Sequence, residues 1–264
     1  MLIGRLINTC KKPDTTKPAC LRSKDLIQAL SPYLDDVKNL GKIVHDYVGR
    51  PFISTWLVDG KYYHEIHEIT LPLERDGKYN FLVDWGDGKS DRITSFYQVE
   101  TSHEYKEAGR YIVQLDGVVN GFRFSDMTGA RPKPIPSSKQ IVDISQWGCL
   151  GLSPQGHQFA GCFNLKCSAQ DAPNLTSVTS FEYMFQDCRY FNGDISGWNT
   201  AACTDMSNMF RHASSFNGDI SGWNTAACTN MGSMFYDASS FNGDLSGWNT
   251  AACTNMSNIF QGAS

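Results

Sequence analysis

Apolar residues recur at a fixed step of 25 positions through the carboxyl-terminal half of the chain. The run FNGDISGWNTAACT begins at Phe191 and Phe216, and it returns at Phe241 with Leu in place of Ile. A period of about 20–50 residues is typical of stacked units, because no single unit can bury its apolar face without a neighbour. A more divergent copy precedes these units. The pattern therefore predicts a solenoid over residues 140–264 whose first unit is atypical.

Within one unit, the apolar positions predict the side chains that face the core. They are Phe216, Ile220, Trp223, Cys228, Met231, Met234 and Phe235. The polar residues between them are predicted to hydrogen-bond turn backbone, because buried backbone groups need partners. These residues are Asn217, Asp219, Asn224 and Asn230. Outward ladders of these side chains, and a role in binding a ligand, are the alternative interpretations of the same residues.

The period changes to two over residues 50–125. Runs with strand character at 52–57, 66–73, 79–85, 110–115 and 121–124 are separated by turn residues. Short alternating strands at this spacing predict an antiparallel β-sandwich. The segment from Asp84 to Gly88 lies between two strands, and its Asp-Gly step predicts a tight hairpin turn.

The rest of the chain divides into a tail, a helical segment and a linker. Residues 1–22 are rich in lysine and poor in apolar residues, and we expect a flexible tail. Residues 23–49 carry apolar residues at alternating steps of three and four, which predicts helices. These helices either dock on the next domain or form a short coiled-coil seam between copies of the chain. Residues 126–139 are rich in proline and predict a stiff linker.

Two motifs in the middle of the chain resemble a known domain family. WGDG begins at Trp85, and HEYKEAGRYIV begins at His103. This pair, in this order, resembles the polycystic kidney disease (PKD) type of immunoglobulin-like domain over roughly residues 50–125. The resemblance implies a spacer or interaction module.

The repeats resemble a second family. MFRHASSFNGDISGWNTAACTNM, which begins at Met209, is similar to the BspA-like leucine-rich repeat of bacterial surface proteins, with Cys at the usual Val and Ala-Ala at the usual Ser-x. The match runs from Ile141 to the end, and the order of the two regions is also characteristic of that family. The resemblance implies a right-handed solenoid and a role in surface display or adhesion. The expected fold is therefore mainly β: a PKD-like sandwich, then a leucine-rich-repeat-like solenoid, with a short N-terminal helical segment.

Composition excludes some functions and leaves others open. The net charge is −4 and the basic residues are scattered, so we expect no nucleic-acid partner. No apolar run reaches the roughly 20 residues of a membrane-spanning helix. The N-terminus shows no secretory signal. Either export uses another route, or a leader is missing from this sequence, or the protein stays inside the cell. The expected location is the cell surface or the outside of the cell, with the export route open.

The nine cysteines cannot all pair within the chain because their number is odd. Cys203, Cys228 and Cys253 align with Val178, and Cys188 aligns with Ala213. These four thiols are predicted to be small buried hydrophobes rather than disulfide or metal-binding residues. The states of Cys10, Cys20, Cys149 and Cys167 stay open.

Two clusters could suggest metal chemistry. Asp84, Asp87 and Asp91 could form a calcium loop, but they lack the EF-hand spacing, and the hairpin turn is favoured. The run HEIHE at 64–68 is not the zinc motif H-E-x-x-H, and a strand would direct its two histidines to opposite faces. With no recognisable nucleophile set or phosphate loop, we expect neither an enzyme nor a metal or cofactor.

The repeats differ from each other chiefly just after each Met-Phe pair. We call these six residues the recognition stripe: Gln186, Asp187, Arg211, His212, Tyr236 and Asp237. Gln261 and Gly262 continue the series. Solenoids present such aligned positions for recognition, and Arg and Tyr are enriched in binding hot spots. A turn that tolerates change without functional consequence is the alternative.

The expected function is a noncatalytic surface or adhesion protein whose solenoid binds a protein or glycan and whose PKD-like domain is a spacer. The alternative is a receptor-binding component of an oligomeric fibre of the phage or injection-system type. Assembly into homo-oligomers would use residues 24–48 or the C-terminal end, where the last apolar layer has no polar cap.

Overall fold

The computed structural model describes residues 50–59, 67–126 and 133–263. The predictions for the tail, for the helical segment and for most of HEIHE fall outside these ranges, as do Cys10 and Cys20. The described chain is mainly β, and its only helical elements are two short 3-10 helices at Val99–Thr101 and Pro136–Lys139. From Pro51 onward the chain forms one compact unit.

A seven-stranded sheet forms the first part of this unit. Its strands are β1 (Phe52–Val58), β3 (Leu73–Asp84), β4 (Ser90–Ile93), β6 (Gly109–Phe122), β9 (Ile141–Gln146), β10 (Leu150–Leu152) and β11 (Lys166–Cys167). The order is β11-β9-β1-β6-β3-β4, and β10 pairs with β6. Two short ribbons accompany the sheet: β2 (Glu68–Thr70) with β5 (Ser102–Glu104), and β7 (Ser125–Asp126) with β8 (Lys133–Pro134).

Alternation along β1 sets one face of the sheet against the core. Phe52, Ser54, Trp56 and Val58 are buried, and the residues between them are half-buried. Ser54 is tolerated in the core because its hydroxyl accepts a hydrogen bond from Trp56 Nε1 at 2.8 Å. The same strand pairs antiparallel with β6 on one side and β9 on the other. The sheet therefore includes strands from both sides of the proline-rich region, and β11, paired with β9, is one of its edge strands.

The predicted hairpin turn between β3 and β4 is confirmed. Gly86 and Gly88 have φ of 78° and 87°, a region that glycine enters without strain. The Asp84 and Asp87 carboxylates accept hydrogen bonds from the N–H groups of Gly86 and Lys89. These aspartates therefore cap the turn backbone, as Asx turns do.

The repeats form a stack of coils from Gly156 to Ala263, here called the repeat stack. Parallel bridges join Gln155, Ser180, Asp205, Asn230 and Asn255, one residue per coil. Backbone N–H groups also donate to carbonyls one coil ahead, as in Phe210 N–H to Met234 O at 2.9 Å. The predicted core residues are confirmed, since all seven are buried. Cys188, Cys203 and Cys228 are buried free thiols, whereas Cys149, Cys167 and Cys253 are half-buried free thiols.

The predicted turn role of the polar residues is also confirmed. The Asp219 carboxylate accepts from Ser221 N–H at 2.9 Å, and Asn224 Oδ1 accepts from Ala226 N–H at 3.1 Å. Asn217 Oδ1 accepts from Asn242 N–H, one coil ahead, at 2.8 Å. These side chains thus satisfy backbone groups both within a coil and between coils.

Candidate functional site

The recognition stripe follows a repeated backbone feature. Asp187, His212 and Asp237 have φ of 60°, 60° and 53°, and the equivalent Gly161 and Gly262 are also left-handed. Aspartate and histidine enter this region more readily than most residues, because their short polar side chains can bond locally. Each coil therefore makes a tight turn here and presents the side chain outward.

Backbone hydrogen bonds bring the stripe residues together. The N–H of Asp187 donates to Arg211 O, that of His212 to Tyr236 O, and that of Asp237 to Gln261 O, each at 2.8 Å. The same contact extends back one coil, where Gly161 N–H donates to Gln186 O at 2.9 Å. The structure thus aligns all six residues of the recognition stripe along one side of the repeat stack.

Side-chain contacts fix the middle of the stripe. The Arg211 guanidinium lies over the Tyr236 ring, 4.5 Å from its centroid. Arg211 Nε donates to His212 Nε2 at 3.1 Å, and His212 Nδ1 lies 3.5 Å from Asp237 Oδ2. Because Nε2 accepts, Nδ1 carries the ring proton and faces the carboxylate. Arginine, tyrosine and histidine are therefore held in position before any partner arrives, which lowers the entropic cost of binding.

An open groove of about 470 Å³ runs beside the stripe and is called the stripe groove. It is lined by Asp187, Arg189, His212, Ser214 and Asp237. The Arg189 guanidinium lies 5.6 Å from the centroid of the Phe163 ring. The groove is therefore lined by two carboxylates, one guanidinium, an imidazole and a hydroxyl.

A second, more enclosed space of about 670 Å³ lies at the start of the stripe and is called the junction cavity. The repeat stack contributes His157, Gly161, Glu182, Tyr183, Asp187 and Arg211 to its walls. The β7–β8 ribbon contributes Ser125 and Pro134. A Cβ at Gly161 would come within 2.5 Å of Pro134 Cγ, so glycine at this coil position lets the ribbon approach.

Burial shifts the pKa of two groups in the junction cavity, His157 and Glu182. Burial, with a smaller effect of the Arg123 charge, lowers the pKa of His157 to about 4, so this imidazole is neutral at pH 7. Its ring stacks on Tyr183 with centroids 4.7 Å apart. Burial, followed by the negative charge of Asp205, raises the pKa of the Glu182 carboxyl. No hydrogen bond or ion pair of the Glu182 or Asp187 carboxylate occurs in the described ranges.

The stripe was predicted from the sequence, but the other lining residues of this cavity were not; those with polar side chains are Ser125, His157, Glu182 and Tyr183. Tyr183 belongs to a second left-handed position that also varies between coils, with Asn208, Ser233 and Asn258 as its equivalents. The same comparison between repeats would have found it. Ser125 has no such signal, because it lies on a strand outside the repeats.

The repeat stack matches a protein-family model. Residues 156–264 match the family model described as Mycoplasma protein of unknown function, DUF285. No curated protein and no solved structure matches the chain. In the described part of the chain, no helix has the length and hydrophobicity to cross a membrane.

Proposed function

We propose that this chain is a noncatalytic adhesion protein of the cell surface or the extracellular space, and that the recognition stripe binds a protein or glycan. The observation that carries the proposal is the alignment of Arg211 and His212 on one coil with Tyr236 on the next, each held by its neighbour. Most residues of each repeat serve the core or the turns, whereas these positions vary and face outward. Pre-positioned arginine and tyrosine are the residue types that dominate binding energy in interfaces.

Under this proposal, the first region is a PKD-like sandwich that acts as a spacer. The features that support it are the contacts around its WGDG turn. The His103 ring stacks on Trp85 at 4.8 Å, and its Nε2 lies 2.9 Å from Asp87 Oδ2. The Tyr105 hydroxyl donates to Trp85 O at 2.9 Å. These contacts tie the β2–β5 ribbon to the end of β3 and stiffen the domain, as a spacer requires.

The proposal further assigns the repeat stack to a right-handed solenoid of the BspA-like leucine-rich-repeat type. The fixed step of 25 residues between bridged positions supports the assignment. In such a solenoid, equivalent residues lie one strand spacing apart, about 4.8 Å. The recognition stripe would then offer an extended surface rather than a single pocket.

The test is binding of the full chain to arrays of purified extracellular proteins and of defined glycans. We expect the double variant Arg211→Ala/Tyr236→Ala to bind its array partner at least about tenfold more weakly, because two hot-spot side chains are lost. Asp219→Asn is the matched control, since Asp219 is an exposed turn residue of the same coil outside both lining sets. Equal binding by the double variant and the wild type would remove the stripe from the proposed function.

A further inference from the structure

The carboxylates of the junction cavity are less well paired than that of Asp237 in the stripe groove. In the stripe groove, Asp237 Oδ2 lies 3.5 Å from His212 Nδ1, and Arg189 also lines the groove. In the junction cavity, two carboxylates, Glu182 and Asp187, face one guanidinium, that of Arg211. That guanidinium is already engaged by Tyr236 and His212. The cavity therefore has one negative charge in excess, and neither carboxylate has a partner in the described ranges.

The surroundings of Glu182 strengthen its attraction for a cation. Glu182 is half-buried, and its position is fixed by its N–H, which donates to Ser180 Oγ at 3.1 Å. Its carbonyl accepts from His157 N–H at 2.7 Å. His157 is neutral at pH 7 and offers no competing positive charge. A carboxylate removed from water without a partner gains more from a bound cation than an exposed carboxylate does.

A buried polar atom also points to a ligand. Ser125 lines the cavity and is only 6% exposed. Its Oγ has no hydrogen-bond partner in the described part of the chain. Buried hydroxyls are nearly always hydrogen-bonded, so the absence of a partner at the wall of a cavity is informative. This oxygen can accept a hydrogen bond from a donor that enters the cavity.

The aromatic ring of Tyr183 also lines the cavity. The Tyr183 ring is held by its stack with His157 at 4.7 Å. A tyrosine ring attracts a cation through its quadrupole when the cation lies within about 6 Å of the ring centroid. Carboxylates that accept from an ammonium or guanidinium group form charge-assisted hydrogen bonds, which are stronger than neutral ones.

We propose that the junction cavity binds the positively charged side chain of a lysine or arginine on a protein partner. This inference rests on the proposed function and commits it to a protein rather than a glycan. Glu182 and Asp187 accept hydrogen bonds from the cationic group, Tyr183 contacts it through its ring, and Ser125 accepts a further donor. A neutral sugar would leave the excess negative charge uncompensated, which is why the basic side chain is favoured.

The test uses small probes and the full chain labelled with ¹⁵N. Nα-acetyl-lysine N-methylamide and the corresponding arginine compound are titrated while the backbone amide signals are followed by NMR. We expect saturable shifts at Tyr183, Gln186 and Asp187. The Nε-acetylated lysine compound, which has the same chain without the charge, should give no saturable shift.

Variants identify the charge that is responsible. Glu182→Gln keeps the shape of the side chain and removes its charge, and we expect about tenfold weaker binding of the lysine probe. Asp219→Asn removes an exposed carboxylate from the same repeat stack and should leave binding unchanged. Its unchanged spectrum also shows that loss of one charge does not disturb the fold.

Three outcomes would overturn the inference. They are equal shifts with the acetylated probe, equal binding by Glu182→Gln, or shifts of the same amides by neutral methyl glycosides in place of the charged probes. The last outcome would assign the cavity to a glycan. The proposed function is judged separately with Tyr236→Ala alone, because Tyr236 belongs to the stripe and does not line the cavity, whereas Arg211 belongs to both. If Glu182→Gln still binds the partner found on the arrays and the probes do not bind, the proposed role of the stripe is kept and that of the cavity is rejected.

Discussion

The sheet region and the repeat stack both bury aromatic side chains, but the rings meet different kinds of partner. In the stack, Phe210 lies between Phe185 and Phe235, with ring centroids 5.8 Å away on each side. These partners are copies of the same position, one period away. In the sheet, Phe52 meets Phe122, which is unlike it in sequence context and lies on another strand. The stack is thus stabilised by contacts between neighbouring coils, whereas the sheet depends on pairings between distant segments.

Removal of one ring from the middle of the stack should give the largest effect. Phe210 is fully buried and also stacks on Phe216 at 3.8 Å. We expect Phe210→Ala to lower the free energy of unfolding by about 3–5 kcal/mol, through lost transfer energy and the cavity left behind. Urea unfolding followed by tryptophan fluorescence measures the change.

Phe260 provides the matched control for this substitution. It occupies the same repeat position and stacks on Phe235 at 5.7 Å, but it is 48% exposed. We expect Phe260→Ala to cost less than about 1.5 kcal/mol, because burial rather than the stacking itself supplies most of the energy. Equal costs at the two positions would contradict the view that each coil is stabilised by neighbours on both sides.

The difference between the sheet region and the repeat stack also determines which parts of the structure could be predicted. Within the repeats, one alignment assigns the same environment to every equivalent residue, so the buried face of Phe216 and Trp223 followed directly from the sequence. The order of the stripe residues followed for the same reason. In the sheet, alternation predicted strands but not their neighbours.

The parts that could not be predicted depend on long-range contacts. β9 pairs with β1, about 90 residues earlier, and no local pattern specifies this pairing. The junction cavity is a similar case, because Ser125 on β7 meets His157 and Glu182 only when the ribbon has packed on the first coils. The sequence therefore indicated the recognition stripe and not the cavity at its end.

An effect of intermediate size is expected where the repeat stack meets the sheet region. Trp223 and Trp198 occupy equivalent positions, and both are buried. Trp223 Nε1 donates to Ile195 O at 3.0 Å, whereas Trp198 Nε1 has no partner in the described residues. Trp198 instead meets the edge of Trp147, at 5.6 Å, where the coils follow the sheet. The indole N–H of Trp223, within the regular coils, thus has a hydrogen-bond acceptor, whereas that of Trp198, next to the sheet, has none in the described residues.

We expect Trp223→Phe to cost about 1 kcal/mol more than Trp198→Phe, since only the first change breaks a hydrogen bond. The Ile195 carbonyl keeps a second donor, the N–H of Trp198, and so is not left unpaired. Thermal and urea unfolding of the two variants, measured side by side, give the difference. The loss of ring volume is the same in both and cancels in the comparison. A larger cost for Trp198→Phe would mean that the boundary with the sheet region, and not the regular coil, is the better packed environment.

The smallest expected effect is on the pH dependence of stability, which we expect to be larger for the sheet than for the stack. Burial alone would raise the pKa of Asp87, but the hydrogen bonds from His103 and from Lys89 N–H, with the charges of both residues, outweigh burial and hold the pKa below its usual range. A carboxyl with a depressed pKa in the folded state stabilises the fold above its unfolded pKa, about 3.9. That stabilisation is lost as the pH falls through the lower, folded pKa.

We therefore expect the melting temperature of the wild type to fall as the pH drops below about 4, and Asp87→Asn to reduce this dependence. The control is Asp219→Asn in the repeat stack. Its carboxyl pKa is also lowered, first by the Ser221 N–H and then by the Ser221 hydroxyl, but the group is exposed and has no histidine beside it. Asp219→Asn should therefore change the acid dependence less than Asp87→Asn does. If the two variants lose the same acid dependence, the turn aspartates of the coils account for it as much as the Asp87–His103 pair does, and the sheet is no more sensitive to acid than the stack.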